Sequence, residues 1–297
     1  MAPIVPPIKC QGIKTKIVPI IKQLVDQKIE GYWIEPFCGS CVVALNIQAQ
    51  RARLSDTNIH IINLYRAIQD GTISAGKAKK FLESEGDKLV RIGEKYYYEV
   101  RDRFNATGNS FDFLFLNRSC FNGVMRFNRK GKFNVPFGHK PERFRQAYIT
   151  KITNQIKAFS NILKGKDWTF EVQGFENSLA FATERDFVYA DPPYMGRHVD
   201  YFNSWTEEDE IRLTKSLKSL PSHFLLSTWH SNKYRTNISI SECWNKPPFE
   251  MVTVEHFYHV GSTEDLRNSM KEAVIANYSL PVIAEKETVL EQNTLEI

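Results

Sequence analysis

Apolar residues recur at helical spacing through Ile17, Ile20, Ile21, Leu24 and Val25, which predicts a first helix within residues 14–28. The pattern then shortens: Tyr32 to Phe37 reads as a strand, Ser40 to about Arg51 as a helix, and Arg53 to Asp56 as a second strand, a βαβ opening. Residues 66–120 carry Lys/Glu-rich helical patterns and no convincing strand. Between Asn117 and Gly138 turn chemistry takes over, at Asn122-Gly123, Asn128 to Gly131 and Val135-Pro136-Phe137-Gly138. Apolar residues alternate loosely around the central turn, as in a hairpin. From about residue 145 the helix–strand alternation returns, with a helix to about Lys164 and strands at Trp168–Val172 and Phe187–Ala190. A helix at about Thr206–Leu220 precedes strands at Phe224–Thr228, Met251–His256 and Ala273–Tyr278. These elements predict one α/β domain built from residues 1–65 and 149–280, with a helical and basic insertion at 66–148. The acidic tail at 281–297 has no partner pattern and is expected to be loose.

Composition narrows the class. A chain of 297 residues can bury a large core, and 42% apolar with 12% aromatic residues argues against disorder. Five scattered cysteines (Cys10, Cys38, Cys41, Cys120 and Cys243) fit a reducing compartment better than a disulfide framework. No early segment resembles a signal peptide and no apolar run is long enough to span a bilayer, so the expectation is a cytoplasmic protein without a membrane partner. The net charge of +5 is small, but between Arg101 and Lys151 eleven basic residues face only Asp102, Asp112 and Glu142. Phe121, Phe127, Phe133 and Phe137 are woven through that block. A one-signed, aromatic-rich block suits a polyphosphate surface, although a basic surface loop without a ligand would look the same.

The densest chemistry lies at Phe187-Val188-Tyr189-Ala190-Asp191-Pro192-Pro193-Tyr194. A buried strand is stopped by two prolines, neither of which can donate to a sheet ladder. One carboxylate, constrained backbone carbonyls and an aromatic plate remain at its carboxyl end, where open α/β sheets place their sites. That set suits holding a flat heterocycle by its exocyclic amine. A Pro-Pro turn closing a core strand is the alternative. Upstream, Glu35-Pro36-Phe37-Cys38-Gly39-Ser40-Cys41 sits between a predicted strand and helix, where a glycine lets a cofactor approach the backbone. Asp56 ends the next strand, about where a Rossmann-like unit places a carboxylate for a ribose hydroxyl pair. Cys38-x-x-Cys41 could be a redox or zinc pair, but zinc lacks two further ligands with suitable spacing, and no metal site is expected.

Taken in order, these motifs resemble those of the Dam-like (alpha-class, D12) N6-adenine DNA methyltransferases, over most of the chain. Lys9-Cys10-Gln11-Gly12-Ile13-Lys14 resembles Lys-Trp-Ala-Gly-Gly-Lys, and residues 35–41 resemble Glu-Pro-Phe-x-Gly-(Ser/Ala)-Gly. Asp56-Thr57-Asn58 matches Asp-x-Asn. The most specific stretch is Leu116-Asn117-Arg118-Ser119-Cys120-Phe121-Asn122-Gly123 through Arg126-Phe127-Asn128 and Gly131-Lys132-Phe133-Asn134-Val135-Pro136-Phe137-Gly138. Glu272 to Tyr278 matches a closing Glu-x-Leu-x-x-Asn-Tyr strand. Cys10 stands where the family has tryptophan, removing an aromatic contact, and Cys41 stands for a glycine, which is expected to narrow the loop. Ser227 to Asn232 departs from the usual Ser-Asn-x-Asp.

The resemblance implies a Rossmann-like, S-adenosylmethionine-dependent sheet with an inserted helical target-recognition domain bearing a β-hairpin. It implies methyl transfer to N6 of adenine in double-stranded DNA, with the base flipped out of the duplex. A cognate restriction endonuclease acting separately would complete a restriction-modification system. Asp191, Pro192, Pro193 and Tyr194 would then be catalytic, with Asp191 and the Pro192 carbonyl accepting the amine hydrogens and Tyr194 stacking on the base. Cys10, Lys14, Glu35, Pro36, Phe37, Gly39, Asp56 and Asp191 would bind the cofactor. Arg126 would read a guanine edge, or else a phosphate. Arg118, Asn122, Asn128, Arg129, Lys130, Lys132 and Lys140 complete the DNA set, its cations meeting phosphates. An N4-cytosine methyltransferase, which usually has Ser at the position of Asp191, an RNA methyltransferase, against which the hairpin's resemblance to DNA readers counts, and a non-catalytic nucleic-acid-binding module are the rival readings.

Overall fold

The computed structural model describes residues 2–25, 28–194, 205–231, 236–257 and 269–281. Asn232 and residues 282–297, which include nearly all of the expected acidic tail, lie outside them. Among the described residues seven strands form one sheet: β1 (Trp33–Glu35), β2 (Arg51–Asp56), β3 (Asp167–Val172), β4 (Phe187–Ala190), β5 (His223–Ser231), β6 (Glu250–Phe257) and β7 (Ser269–Ala276). Their order is β3-β2-β1-β4-β5-β7-β6. β1 to β5 pair in parallel, and β7 runs antiparallel to both of its neighbours. The fold is therefore Rossmann-like α/β. The chain builds outward from β1 to β3 and then returns to β4, so the strand order reverses between β1 and β4. That reversal opens a crevice at their carboxyl ends.

Burial follows from the sheet's period of two. Trp33, Tyr189, Leu225 and Val274 pack into the larger core on one face, while Ile34, Val188, Leu226 and Ile275 pack into a second core on the other. β1 and β4 are buried along their whole lengths, which is why β4 reads as a short apolar run without alternation and why Glu35 at the end of β1 is a buried carboxyl. Helices α1 (Val18–Leu24), α2 (Val42–Ile47) and α3 (Ile59–Gln69) contribute to the larger core. α1 is shorter than the apolar spacing predicts, because Lys14 to Ile17 form a turn in which the Lys14 carbonyl accepts from Ile17 and Val18 before Pro19 opens the helix. α2 stops early as well, at a left-handed Gln48.

The segment predicted to be helical contains α4 (Ala75–Ile92), α5 (Glu94–Thr107) and α6 (Ser110–Ser119), the last capped by the Asn109 side chain. α7 (Gln146–Leu163) leads back to the sheet, and α8 (Phe175–Leu179) and α9 (Glu207–Lys218) cover the second face. α8 gave no clear helical pattern in the sequence, being five residues long. Beyond α6 the chain doubles back as the hairpin pattern predicts. Two isolated antiparallel bridges hold it, Cys120 with Phe137 and Phe127 with Phe133. A continuous ladder is absent because Phe133 gives its backbone groups to α5: its N–H donates to Asn105 Oδ1 at 2.7 Å and its carbonyl accepts from Asn105 Nδ2 at 3.1 Å. Gly138 closes this loop where an added Cβ would lie 2.9 Å from the Ser119 and Cys120 carbonyls.

One side chain fastens the helical segment to the amino-terminal strip. Asn117, fully buried in α6, accepts from the Lys9 N–H and donates to the Lys9 carbonyl, both at 2.8 Å. Removing it strands two backbone groups, each costing roughly 1–3 kcal/mol when left unsatisfied. Asn117→Ala is expected to lower stability by about 2–4 kcal/mol in urea unfolding, and a loss below about 0.5 kcal/mol would show that the clamp is replaceable.

Candidate active site

Strand β4 delivers Asp191 directly into the crevice, and Pro192-Pro193 turns the chain so that Tyr194 folds back, 8% exposed. Lys14, from the turn before α1, meets this loop with its Nζ 2.8 Å from Asp191 Oδ1 and 4.9 Å from the centre of the Tyr194 ring. Glu272 of β7 stands on the other side, with Oε1 3.8 Å from Lys14 Nζ and accepting from the Tyr194 hydroxyl at 3.2 Å. Burial pushes the Asp191 carboxyl up to about 6 even though the adjacent ammonium pulls it down. It is thus ionised at neutral pH. Burial alone would lower Lys14, but the charges of Asp191, Tyr194 and Glu272 leave it well above its ordinary value. Tyr189, one turn of the pleat earlier, shares a 2.9 Å hydrogen bond with Ser227 of β5 and stiffens the floor.

The loop after β1 forms the next wall. Glu35 is 2% exposed and accepts from Trp33 Nε1 at 2.8 Å. Burial pushes its carboxyl up to about 8, against the hydrogen bonds from Trp33 and the Ala44 N–H. Gly39 has φ +44°, and an added Cβ would meet only Cys10 Sγ at 3.8 Å, so the backbone lies open to the cavity. The Gly39 N–H donates to Asp56 Oδ2 at 3.0 Å and the Asn58 N–H to Asp56 Oδ1 at 2.8 Å. Burial raises the Asp56 carboxyl, with the N–H groups of Asn58, Gly39 and Thr57 pulling the other way. Cys41 keeps the left-handed backbone of a glycine, φ 62°, yet is fully buried and is not among the residues lining the cavity. The expected narrowing of the loop is therefore absent. Its side chain is absorbed by the core, and all five cysteines are free thiols.

These walls enclose about 550 Å³. Cys10, Lys14, Glu35, Pro36, Phe37, Gly39, Asp56, Asp191, Pro192, Pro193 and Tyr194 all line this one cavity, so residues chosen from separate motifs meet in space. Sequence reasoning missed Met125, Phe175, Trp205, Asp209, Arg212 and Glu272. Phe37, Phe175 and Trp205 form an aromatic corner with ring centres 5.5–5.8 Å apart. Trp205 is fixed by a 2.7 Å bond to Glu210, and Arg212 bridges Glu176 and Asp209 at the rim. A capping box, Thr206 with Asp209, starts α9 and was the legible signal for this wall.

The basic segment separates into two groups. Arg129, Lys130, Lys132 and Lys140 are exposed, as is Asn122, which takes φ 53° beside the exposed Phe121. Arg118 is different: it is 4% exposed, donates to Gln155 at 2.7 Å and lies over Tyr148. Buried under Arg143, which donates to its carbonyl, it is not offered to a surface phosphate as the sequence led us to expect. The Asn128 carboxamide oxygen accepts from Lys130 and Lys132 inside the turn, and the Lys132 ammonium donates to the Asn105 carbonyl. Arg126 forks across the hairpin onto Asn134, with bonds of 3.0 Å to Oδ1 and 3.1 Å to the carbonyl. Met125, its neighbour, faces the cavity.

Comparison with known proteins places the chain in a family. Residues 11–260 match the profile of the D12 class N6 adenine-specific DNA methyltransferases. The chain is 31% identical over 220 residues to the retron Ec67 DNA adenine methylase of Escherichia coli, covering 71% of each chain. It is 30% identical over 243 residues to the type II methyltransferase M.MjaIII of Methanocaldococcus jannaschii, covering 72% of this chain and 80% of that one. A DNA adenine methylase of Haemophilus influenzae aligns over 285 residues at 28% identity, 91% of this chain and 92% of the other.

Glu35 makes stability depend on pH in a definite direction. Its folded pKa, about 8, lies above the unfolded value of about 4.5. The folded state holds the proton longer, so stability falls as pH rises from 4.5 to 8 and levels off beyond. Glu35→Gln is expected to match the wild type near pH 4.5 and to exceed it by a few kcal/mol above pH 8, roughly 1.4 kcal/mol for each tenfold difference in proton affinity between the two states. Urea midpoints at both pH values measure this, and a constant difference would refute it.

Proposed function

The chain belongs to the D12 class N6 adenine-specific DNA methyltransferases, and from that premise we propose that the cavity between β1 and β4 carries the transfer, with the residues lining it in specific roles. Its reaction is methylation of adenine N6 in DNA. Family membership carries an S-adenosylmethionine-type donor, and the donor set suits it. The cavity offers an open glycine backbone at Gly39, an aromatic corner for an adenine ring, and carboxylates at Asp56 and Asp191. When bound, that group supplies a methyl activated on a sulfonium.

The remaining chemistry is this chain's own. Adenine N6 is a poor nucleophile because its lone pair is delocalised into the ring. The ionised Asp191 carboxylate and the Pro192 carbonyl each accept one amine hydrogen, drawing the nitrogen toward tetrahedral geometry. Tyr194 stacks on the base, which leaves the duplex to reach the site. Transfer then needs positioning and electrostatics more than a strong base. Asp56, whose oxygens keep further lone pairs beyond their backbone bonds, holds the ribose hydroxyls. Phe37 and Phe175, stacked on each other, would offer an aromatic wall to the donor's adenine, and Cys10, Glu35, Pro36 and Lys14 would complete its surroundings.

Residues 66–148 serve as the target-recognition segment in this reading. The exposed Arg129, Lys130 and Lys140 meet phosphates, which position the duplex without reading it. Arg126, already oriented by Asn134, presents its remaining N–H groups to a base edge. Phe121 at the exposed turn has the form of an apolar wedge against a base step. Double-stranded DNA is the partner, and the type II names of relatives motivate a separately acting endonuclease. We place the enzyme in the cytoplasm, where DNA and reduced thiols coexist; no helix among the described residues is long and apolar enough to cross a membrane. Transfer to cytosine N4 and a non-catalytic DNA module have no observation in their favour, since the family acts on adenine and Asp191-Pro-Pro-Tyr194 is intact.

The observation carrying this reading is the Asp191 carboxylate, paired with Lys14 at 2.8 Å, beside the Tyr194 ring on the lip of a cavity of about 550 Å³. Asp191→Ala is expected to cut methylation of DNA at least a hundredfold, about 2.7 kcal/mol in the barrier, while DNA affinity stays within threefold. Activity should also fall below about pH 6 as Asp191 gains its proton and loses an acceptor site. Sequencing of methylated DNA from cells expressing the chain identifies the site, and finding no N6-methyladenine would overturn the reading. For the hairpin, Arg129→Ala with Lys130→Ala should weaken all sequences alike and reduce the salt slope by about two, roughly 0.9 per phosphate contact. An unchanged slope would remove both residues from the interface.

A further inference from the structure

The Lys14 ammonium makes the contacts that the reaction requires of a base amine. It donates to Asp191 Oδ1 at 2.8 Å and to the Gly12 carbonyl at 3.1 Å, and it lies over the Tyr194 ring. An adenine amine brought to Asp191 and stacked on Tyr194 would compete with the ammonium for that carboxylate and that ring. Lys14 is 4% exposed, so an ammonium displaced from Asp191 cannot simply turn to water, and a buried charge without a counter-charge is expensive.

A second anion is already within reach. Glu272 Oε1 lies 3.8 Å from Lys14 Nζ, and the side chain is fully buried. It lies on β7, opposite Trp229 of β5 and Val254 of β6. The oxygen nearest Lys14 also receives the Tyr194 hydroxyl at 3.2 Å, tying it to the base-stacking ring. We propose that Glu272 is a positioning residue for methyl transfer: it takes over the Lys14 ammonium when the target amine displaces it from Asp191. No proton moves and the net charge is the same in both arrangements. One ammonium serves two carboxylates in turn, and Asp191 is freed to accept a neutral N–H. This inference rests on the adenine reading above and goes beyond it.

The test uses the full-length enzyme, the site located by sequencing, and the unreactive cofactor analogue sinefungin. Fluorescence anisotropy gives the affinity for duplexes carrying either adenine or purine, which lacks the amine, at the target position. The ratio of the two affinities reports how well the amine is accepted. In Glu272→Gln the ammonium stays on Asp191, so the adenine-to-purine ratio is expected to fall about tenfold below that of wild type. In Lys14→Met with Glu272→Gln no ammonium competes, and the ratio should return to within twofold. A purely structural role for Glu272 would leave the ratio alone or make the double variant worse, and either result overturns the proposal. If Glu272→Gln does not fold, Glu272→Asp, which retracts the carboxylate by one methylene, should lower the ratio at least threefold, and an unchanged ratio there also overturns it. Failure of the adenine reading itself would appear earlier, as wild-type enzyme that leaves no N6-methyladenine.

Discussion

One buried ammonium determines how three distant parts of the chain must meet. Lys14 sits before α1, Asp191 ends β4 and Glu272 lies on β7, yet all three side chains share a few ångströms of protein interior. Charges removed from water need close partners, and each of these is out of place without the others. The amino-terminal strip is therefore drawn under the carboxyl ends of the strands, and the antiparallel β7 has to bring its carboxylate to the same point. The β1/β4 reversal supplies the crevice, and the ion cluster sets which loops furnish it.

The helical segment shows a complementary logic. Its hairpin has little sheet of its own and borrows order from α5, through Asn105, through Tyr97 donating to the Val135 carbonyl at 2.8 Å, and through rings packed beneath. Phe127 stacks on His60 of α3, 5.1 Å away, which ties the hairpin to the helix that follows Asp56. Apolar side chains point inward at Met125, Phe127, Phe133, Val135 and Phe137, leaving alternate positions to polar groups. The exposed cations are thus held on a rigid underside.

Much of the sheet was legible because its signals are local. Phe187–Ala190 was read to the residue, since two prolines end it and its burial on both faces leaves an unbroken apolar run. Asp191, Gly39 and Asp56 were legible for the same reason, each closing a strand or opening a turn. Arg118 was expected at the surface because a basic residue in a basic segment looks exposed, whereas it is buried and one of its N–H groups donates to Gln155 of α7. Phe175 and Trp205 were illegible as lining residues, because they reach the cavity only through tertiary approach across tens of residues, and Glu272, visible as the start of a strand motif, gave no sign of its approach to Lys14. Cys41 lies between these cases: its departure from glycine was visible, but the direction of its side chain was not.

The Asn117 clamp on Lys9 has a consequence for the energetics of the whole enzyme. Lys9 and Lys14 are five positions apart on one strip, the first bolted to the segment that bears the hairpin and the second facing Asp191. Whatever free energy hairpin contacts spend on moving that strip is felt at the cavity, and the exchange is symmetrical by thermodynamic necessity. A duplex that tightened the cofactor site by some factor would itself be held tighter by that factor once the cofactor was bound. The strength of that mutual tightening would then rest on a single carboxamide.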